Sequence, residues 1–231
     1  MTQTISATKA FQALSSLSYF QGLDEDLLDA LAKVALRQCF EKGQIVFLEG
    51  EPCTGLYVVE EGWLKGFITS TAGREQIIRY LSPRDVFNEV GVLIPEAKNL
   101  VAVQALEPSK VWMIERQKLV RLMDKHPQLC RKISENLAQR VIHLMDMIED
   151  LSLRNVENRL ARFLLDSSSD GGINRRTWFT QAEMAARLGT VADIIGRILH
   201  NFEADGLIRV SRHRIEILKR ERLEEKTKSG D

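Results

Sequence analysis

With 231 residues, 44% of them hydrophobic, the chain is long enough to bury a substantial core and to form two domains. No apolar run approaches the roughly 20 residues needed to cross a bilayer, and the opening MTQTISATKAFQALSSL lacks a basic region followed by an unbroken apolar stretch, so neither a membrane partner nor export is expected. Its 32 Lys and Arg balance 32 Asp and Glu only in total: residues 1–152 hold 17 basic against 20 acidic, whereas residues 153–222 hold 13 against 9.

In chain order, a short helical lead is followed by Leu27, Leu28, Leu31 and Val34, the face of an amphipathic helix that Asp24 could cap. From Phe40 to Ile114, short runs rich in Val, Ile, Phe and Tyr (IVFL, LYVV, WLKGFI, QIIRYL, LVAVQAL, KVWMI) alternate with turns at Lys42-Gly43, Glu49-Gly50, Glu61-Gly62 and Ala72-Gly73. That pattern predicts a compact antiparallel barrel or sandwich. Cys39, Cys53 and Cys130 are too scattered for a disulfide framework or a CxxC metal site, and the expectation is buried thiols in a reducing cytoplasm.

Beyond Pro127 no Gly or Pro occurs until Gly171, which is room for a long helix and a shorter one. Leu137, Val141, Leu144, Ile148 and Leu151 recur at the spacing of a coiled-coil seam. Such a seam could pack on the chain's own barrel; a parallel homodimer is the preferred reading, because twofold symmetry would repeat whatever follows. Asn155 is the expected cap of the next helix, with Val156, Leu160, Phe163 and Leu164 on its face, so the hinge falls near Leu153. DSSSDGG at 166–172 reads as a surface loop, and the charged tail after Leu223 as a frayed end.

The stretch from Phe179 to Phe202 reads as two short helices joined at Gly189. Met184 and Leu188 on the first, and Ile195, Ile198, Leu199 and Phe202 on the second, can share one small core. The free face of the second carries Ala192, Asp193, Gly196, Arg197 and His200, residues able to approach base edges in a major groove. Gly196 costs about 1 kcal/mol inside a helix, and close approach to a phosphate backbone would explain it. Strands at Leu207–Val210 and Arg214–Leu218, with Ser211, Arg212 and His213 at their turn, would form a basic wing. A plain helical hairpin is the alternative, but the wing and the net positive charge of this half favour a nucleic-acid reader.

Barrel, seam helix, hinge and winged helix-turn-helix in this order resemble the CRP/FNR superfamily of bacterial transcription regulators over nearly the whole chain. The residues that carry the likeness are DVFNEVGVL at 85–93, VENRLARFLL at 156–165 and GRIL at 196–199. The resemblance implies an α+β fold: an effector-sensing, cyclic-nucleotide-binding-like antiparallel β-roll with N-terminal helices (1–116), a dimerisation helix (117–153) and a winged helix-turn-helix domain (154–231). It also implies palindromic double-stranded DNA and RNA polymerase as partners, a homodimer, and an effector pocket at Phe87, Asn88, Glu89, Asn99, Leu100, Leu144 and Met145. Its DNA-contacting residues would be Gln181, Ala192, Asp193, Gly196, Arg197, His200, Arg212 and His213. Arg197 matches the family's guanine-reading Arg and Asp193 its cytosine-reading Glu; Ala192 stands where the cyclic-AMP branch has a further Arg. Gln181, Arg212 and His213 are expected on phosphates.

The chain departs from the cyclic-AMP branch at the pocket. The Gly-Glu and Arg-Ser pairs around the cyclic phosphate read Asn88-Glu89 and Asn99-Leu100, and the purine-contacting Thr-Ser pair reads Leu144-Met145. Losing the Arg removes a charge-assisted bidentate partner, so tight cyclic-AMP binding is not expected. Three scattered cysteines cannot supply the four thiolates of an iron-sulfur cluster. Phrases such as IEDLSLRN and ILKRERLE are similar to nitric-oxide-responsive regulators of dissimilatory nitrate respiration, which keeps haem open, with His143, Met145 or Cys53 as ligands. A cupin-like metal enzyme would need clustered His, and residues 40–114 contain none.

Overall fold

The computed structural model describes residues 2–168, 172–174, 178–212 and 214–228. The chain divides into two compact units: one holds the residues up to Ile68 together with Ile78–Ile142, the other Thr69–Ile77 and the residues from His143 onward.

The first unit begins with α1 (Thr2–Ser15), a short 3-10 turn (Ser18–Phe20) and α2 (Glu25–Val34). The strands that follow are β1 (Ala35–Phe40), β2 (Ile45–Phe47), β3 (Gly55–Glu61), β4 (Leu64–Thr69), β5 (Glu75–Leu81), β6 (Val86–Phe87), β7 (Ala102–Ala105) and β8 (Ser109–Glu115), with the short helix α3 (Glu89–Leu93) after β6. They make two four-stranded sheets, ordered β1-β8-β3-β6 and β2-β7-β4-β5. Strand alternation gives each sheet face its own work. Leu56, Val58, Trp112 and Ile114 pack with Leu14, Phe20, Leu27 and Leu31 of the leading helices, while Tyr57, Val59, Phe87 and Val111 of the same sheet pack with Phe47, Leu64 and Val103 of the other.

The glycine turns form where expected. At Gly62 (φ +88°) a Cβ would lie 2.2 Å from Ser109 Oγ, so the β3–β4 turn admits no side chain. Two local expectations differ. Asp24 sits at the N-cap of α2 but makes no cap bond; its Oδ2 accepts from Gln128 Nε2 at 3.3 Å instead. Strand β1 lies before the expected start of the barrel and pairs antiparallel with β8.

Residues 117–153, expected as the dimerisation helix, hold two helices, α4 (Arg116–Lys125) and α5 (Pro127–Leu153). A residue before proline is held out of the α region, and His126, at φ −131° and ψ 84°, breaks the chain there. Pro127 then opens α5, where its missing N–H costs nothing.

The second unit takes the last turns of α5 and adds α6 (Val156–Asp166), β9 (Gly172–Asn174), α7 (Gln181–Leu188), α8 (Ala192–Ala204), β10 (Ile208–Val210), β11 (Arg214–Ile217) and α9 (Arg220–Lys228). Asn155 caps α6 as expected, its Oδ1 accepting from Asn158 N at 2.9 Å. The loop reading of 166–172 stops short of a third strand: β9 adds to β11, giving the order β10-β11-β9. The frayed tail is corrected more strongly. Helix α9 buries Leu223 completely and is tied down where Asn158 Nδ2 donates to Lys226 O at 2.6 Å and Lys226 Nζ meets Glu157 Oε1 at 2.8 Å.

Candidate nucleic-acid interface and effector site

The helix pair is built from its turn outward. Thr180 caps α7, its side chain accepting from Glu183 N at 3.2 Å. Gly189 ends it in the left-handed conformation (φ +66°), the backbone a helix stop of this kind requires. A Cβ on Gly189 would also come 2.9 Å from Leu151 Cδ2, so the turn packs on the end of α5. Met184, Leu188, Ile195, Ile198, Leu199 and Phe202 are all buried, which is the shared core expected from their spacing.

That burial leaves Asp193, Arg197 and His200 exposed on α8, with Ala192 and Gly196 half-buried. Among the described residues Arg197 makes no ion pair, and none joins it to Asp193 four residues earlier. Its guanidinium is therefore available to an outside acceptor. A Cβ on Gly196 would stand 3.0 Å from Gln181 Oε1, the far end of an exposed and flexible side chain on α7. Gln181 itself is exposed at the first turn of α7, where free backbone N–H groups favour an anion.

The wing is fixed to α8 rather than loose. Glu203 Oε1 accepts from Val210 N at 2.8 Å, and Ser211 and Arg214 close the wing turn through Ser211 N to Arg214 O at 2.8 Å. Arg212 is exposed at its tip. His213 lies outside the described residues.

In the first unit the effector-pocket residues split into two groups. Asn88 takes the left-handed backbone (φ 73°) at the start of α3, a conformation Asn tolerates nearly as Gly does. Its Nδ2 donates to Asn99 Oδ1 at 3.0 Å and to Gly55 O at 3.1 Å, and Asn99 Nδ2 donates to Leu48 O at 3.3 Å. Glu89 is 4% exposed and faces α5, where Arg140 Nη2 lies 2.7 Å from its Oε1 and 2.6 Å from Val86 O. Burial pushes the Glu89 carboxyl up to about 7; its backbone hydrogen bond and Arg79 pull the other way, and Asp85 adds to the rise. Leu100 is 62% exposed, and Phe87 stacks on Tyr57 with ring centroids 5.1 Å apart. Leu144 and Met145 belong to the second unit and are exposed.

The first unit also holds a cleft of about 560 Å³ whose walls include Cys39, Phe40, Val46, Phe47, Tyr57 and Met113. Its volume falls within the ~300–1,000 Å³ of small-molecule sites. The Cys53 thiol is engaged within the fold. Burial raises its thiol pKa, Asn88 Nδ2 donates to its Sγ at 3.4 Å, and that sulfur packs 2.8 Å from where a Gly91 Cβ would be. Among the described residues no group of three or more His, Cys, Asp or Glu could hold a metal ion, and no helix is long and apolar enough to cross a membrane.

Sequence spacing revealed the shared helix core and the exposed face of α8 on which Arg197 stands. It missed Arg140, Thr180 and α9. Thr180 was accessible, since Thr-x-x-Glu before an apolar run is a capping signature. Arg140 was not, because its partner lies 51 residues away.

Comparison with known proteins agrees with this architecture. Residues 37–126 match the cyclic nucleotide-binding domain and residues 158–226 the Crp-like helix-turn-helix domain. The HTH-type transcriptional regulator Cmr of Mycobacterium tuberculosis is 31% identical over 199 residues, covering 84% of this chain and 78% of that protein. The CRP-like cAMP-activated global transcriptional regulator of the same organism is 28% identical, covering 92% and 97%. A crystal structure of a putative transcriptional regulator of the crp/fnr family from Eubacterium rectale superposes with a TM-score of 0.74 at 25% identity, covering 92% of this chain and 99% of that one. The chain belongs to the CRP/FNR family: it is a DNA-binding transcription regulator.

Proposed function

We propose that two copies of the chain pair along α5 and present α8 to successive major-groove faces of palindromic DNA, under a signal other than cyclic AMP. The observation that carries the pairing is the exposure of Val141, Leu144 and Ile148, at 56%, 38% and 61%, in one stripe on a long helix. Such a stripe is costly in water and is the form of a coiled-coil seam. The outer seam positions already have partners within the chain: Leu137 packs on the helical core of the first unit, and Leu151 on Gly189. The middle three are the positions a second copy would cover.

Within that dimer, Arg197 reads guanine O6 and N7, Asp193 reads cytosine N4 or orients Arg197, and Ala192 meets a thymine methyl. His200 lies beside them on the groove face. Gln181, Arg212 and His213 hold phosphates, which position the protein without specifying sequence. RNA polymerase is the partner through which a regulator of this kind acts.

The chemistry of the sensing site supports a ligand without a cyclic phosphate. The Asn99 side chain is bonded to Leu48 O and to Asn88, and Leu100 has no side-chain donor to offer, so a phosphate near Glu89 would meet a carboxylate and no compensating Arg from that loop. A compact apolar signal in the barrel cleft, a haem ligated through His143 or Met145, or a redox signal remain the classes of effector. Effector-independent binding is the second reading, favoured by the internal bonding of Asn88, Glu89 and Asn99. Selection of binding sites from random duplexes, with and without cell extract, tests both. An inverted repeat enriched only with extract supports sensing; equal enrichment without it supports the second reading.

A further inference from the structure

We infer that a cavity of about 210 Å³ in the second unit, walled by the last turns of α5, by α6 and by the end of α7, binds a compact oxyanion: the carboxylate or phosphoryl group of a small molecule. At roughly 30 Å³ per water it holds the equivalent of about seven waters. That suits inorganic phosphate or a short carboxylic acid, and is smaller than the ~300–1,000 Å³ of sites for drug-sized ligands.

The argument rests on Arg159. It is a lining residue, only 9% exposed, and its Nη1 donates to Leu151 O, a carbonyl in the last turn of α5, at 3.1 Å. That bond explains the side chain's direction but uses one donor of five. Its Nε is buried and, among the described residues, has no hydrogen-bond partner. Burial also lowers the pKa of this guanidinium, with Asp150 opposing. Such a group seeks an acceptor, and a carboxylate or phosphoryl oxygen is the strongest available to a guanidinium.

The neighbouring carboxylates do not meet this demand. Asp150 Oδ1 accepts a hydrogen bond from Arg162 Nη1 at 2.9 Å and forms an ion pair with Arg154, whose Nε is also 2.9 Å away. Asp166 has a side chain 70% exposed and reaches only Arg162, at 3.7 Å, while Asp146 is also exposed, where water screens it. Arg162 and Arg187 line the same cavity, as do Asp146, Asp150 and Asp166; Arg162 is already paired with two of these, so it is Arg159 that is left to hold an oxyanion. Leu151, Phe163 and Leu188 complete the wall with apolar surface, which strengthens any hydrogen bond made there. An oxyanion on Arg159 would thus join the end of α5 to α6 and to the end of α7, and fix the attitude of the helix pair on α5. The site is separate from the proposed sensing cleft, and its test involves no DNA.

The test follows guanidinium and backbone N–H signals of the full chain by nitrogen-15 NMR at constant ionic strength, with inorganic phosphate in one arm and acetate in the other. The Arg159 Nε–Hε signal is the one that Arg159→Lys removes. It is expected to move saturably with at least one of the two ions, and the arm that moves it identifies the phosphoryl or carboxylate source. The Arg187 and Leu188 amides are expected to move with it, and to lose at least about tenfold in apparent affinity in Arg159→Gln. A signal that neither ion moves, or amide shifts that survive in Arg159→Gln, would overturn the site and leave Arg159 as a helix cap only. Should Arg159→Gln fold poorly, the wild-type Nε–Hε signal decides alone.

Discussion

Arg140 Nη2 donates to Glu89 Oε1 at 2.7 Å and joins the short helix after β6 to α5. Glu89 has lost nearly all contact with water, and burial holds its carboxyl near pH 7 rather than near the ordinary value of 4.5. The folded chain therefore holds this proton more tightly than the unfolded chain does. The contribution to stability is fully present below about 4.5 and is lost as pH rises through about 7. Thermal unfolding between pH 5 and pH 8 is expected to show the melting temperature falling over that window, less so in Glu89→Gln. Arg140→Gln strips the ionised form of its partner and is expected to steepen the fall. A melting temperature that rises with pH, or an Arg140→Gln profile like wild type, would contradict this assignment.

At the DNA face the prediction separates reading from holding. Arg197→Ala is expected to cost about 1 to 3 kcal/mol on the selected site and to relax preference at one base pair. Arg212→Ala is expected to weaken all sequences alike and to reduce the salt slope by about 1. Titrations against the selected site and a random duplex at several salt concentrations check both. Equal losses on the two duplexes for Arg197→Ala would place the wrong residue in the groove.

Gly196 can be tested against its own neighbour. An alanine Cβ would stand 3.0 Å from Gln181 Oε1, the end of a flexible exposed side chain that can swing aside. Gly196→Ala is therefore expected to leave folding stability unchanged or to raise it by up to about 1 kcal/mol. Weaker DNA binding without loss of stability would assign the glycine to the groove; loss of stability would assign it to the α7–α8 contact.

Cyclic AMP offers a negative prediction with a residue-level reason. Asn99 and Leu100 supply neither guanidinium nor hydroxyl, and Asn99 is already bonded to Leu48 O and Asn88. Calorimetry is expected to show no binding tighter than about 1 μM, or roughly −8 kcal/mol. A submicromolar affinity would overturn the reading of the pocket.

How much of this was legible in the sequence depends on whether the partner of each residue lies nearby. Ile195, Ile198, Leu199 and Phe202 announce α8 because helical spacing is local, and Gly189 announces its turn because few residues take its backbone conformation. The repeating glycines marked the barrel for the same reason. Strand β1 was hidden because Leu36, Arg37 and Cys39 are not buried, leaving no apolar alternation to read. Strand β9 is three residues long and exists only through its pairing with β11. Helix α9 is almost wholly charged; its order comes from Leu223 and from bonds to α6 and the end of α5 some 70 residues earlier. Arg140 and Arg159 were silent as well, since a charge in a helical run reads as solvated until the fold buries it.

Pairing along α5 is open to mutation at Ile148, which is 61% exposed and whose replacement disturbs no core of its own chain. Ile148→Asp is expected to yield a folded single chain with an unchanged circular dichroism spectrum and little affinity for the selected duplex. A dimer that persists in this variant would move the interface elsewhere.

The most direct measurement is the sedimentation mass of the complex formed on the duplex recovered by selection. Two chains on one inverted repeat, with the complex lost in Arg197→Ala, is the predicted result. One chain per duplex, or no enriched repeat in any condition, would contradict the account.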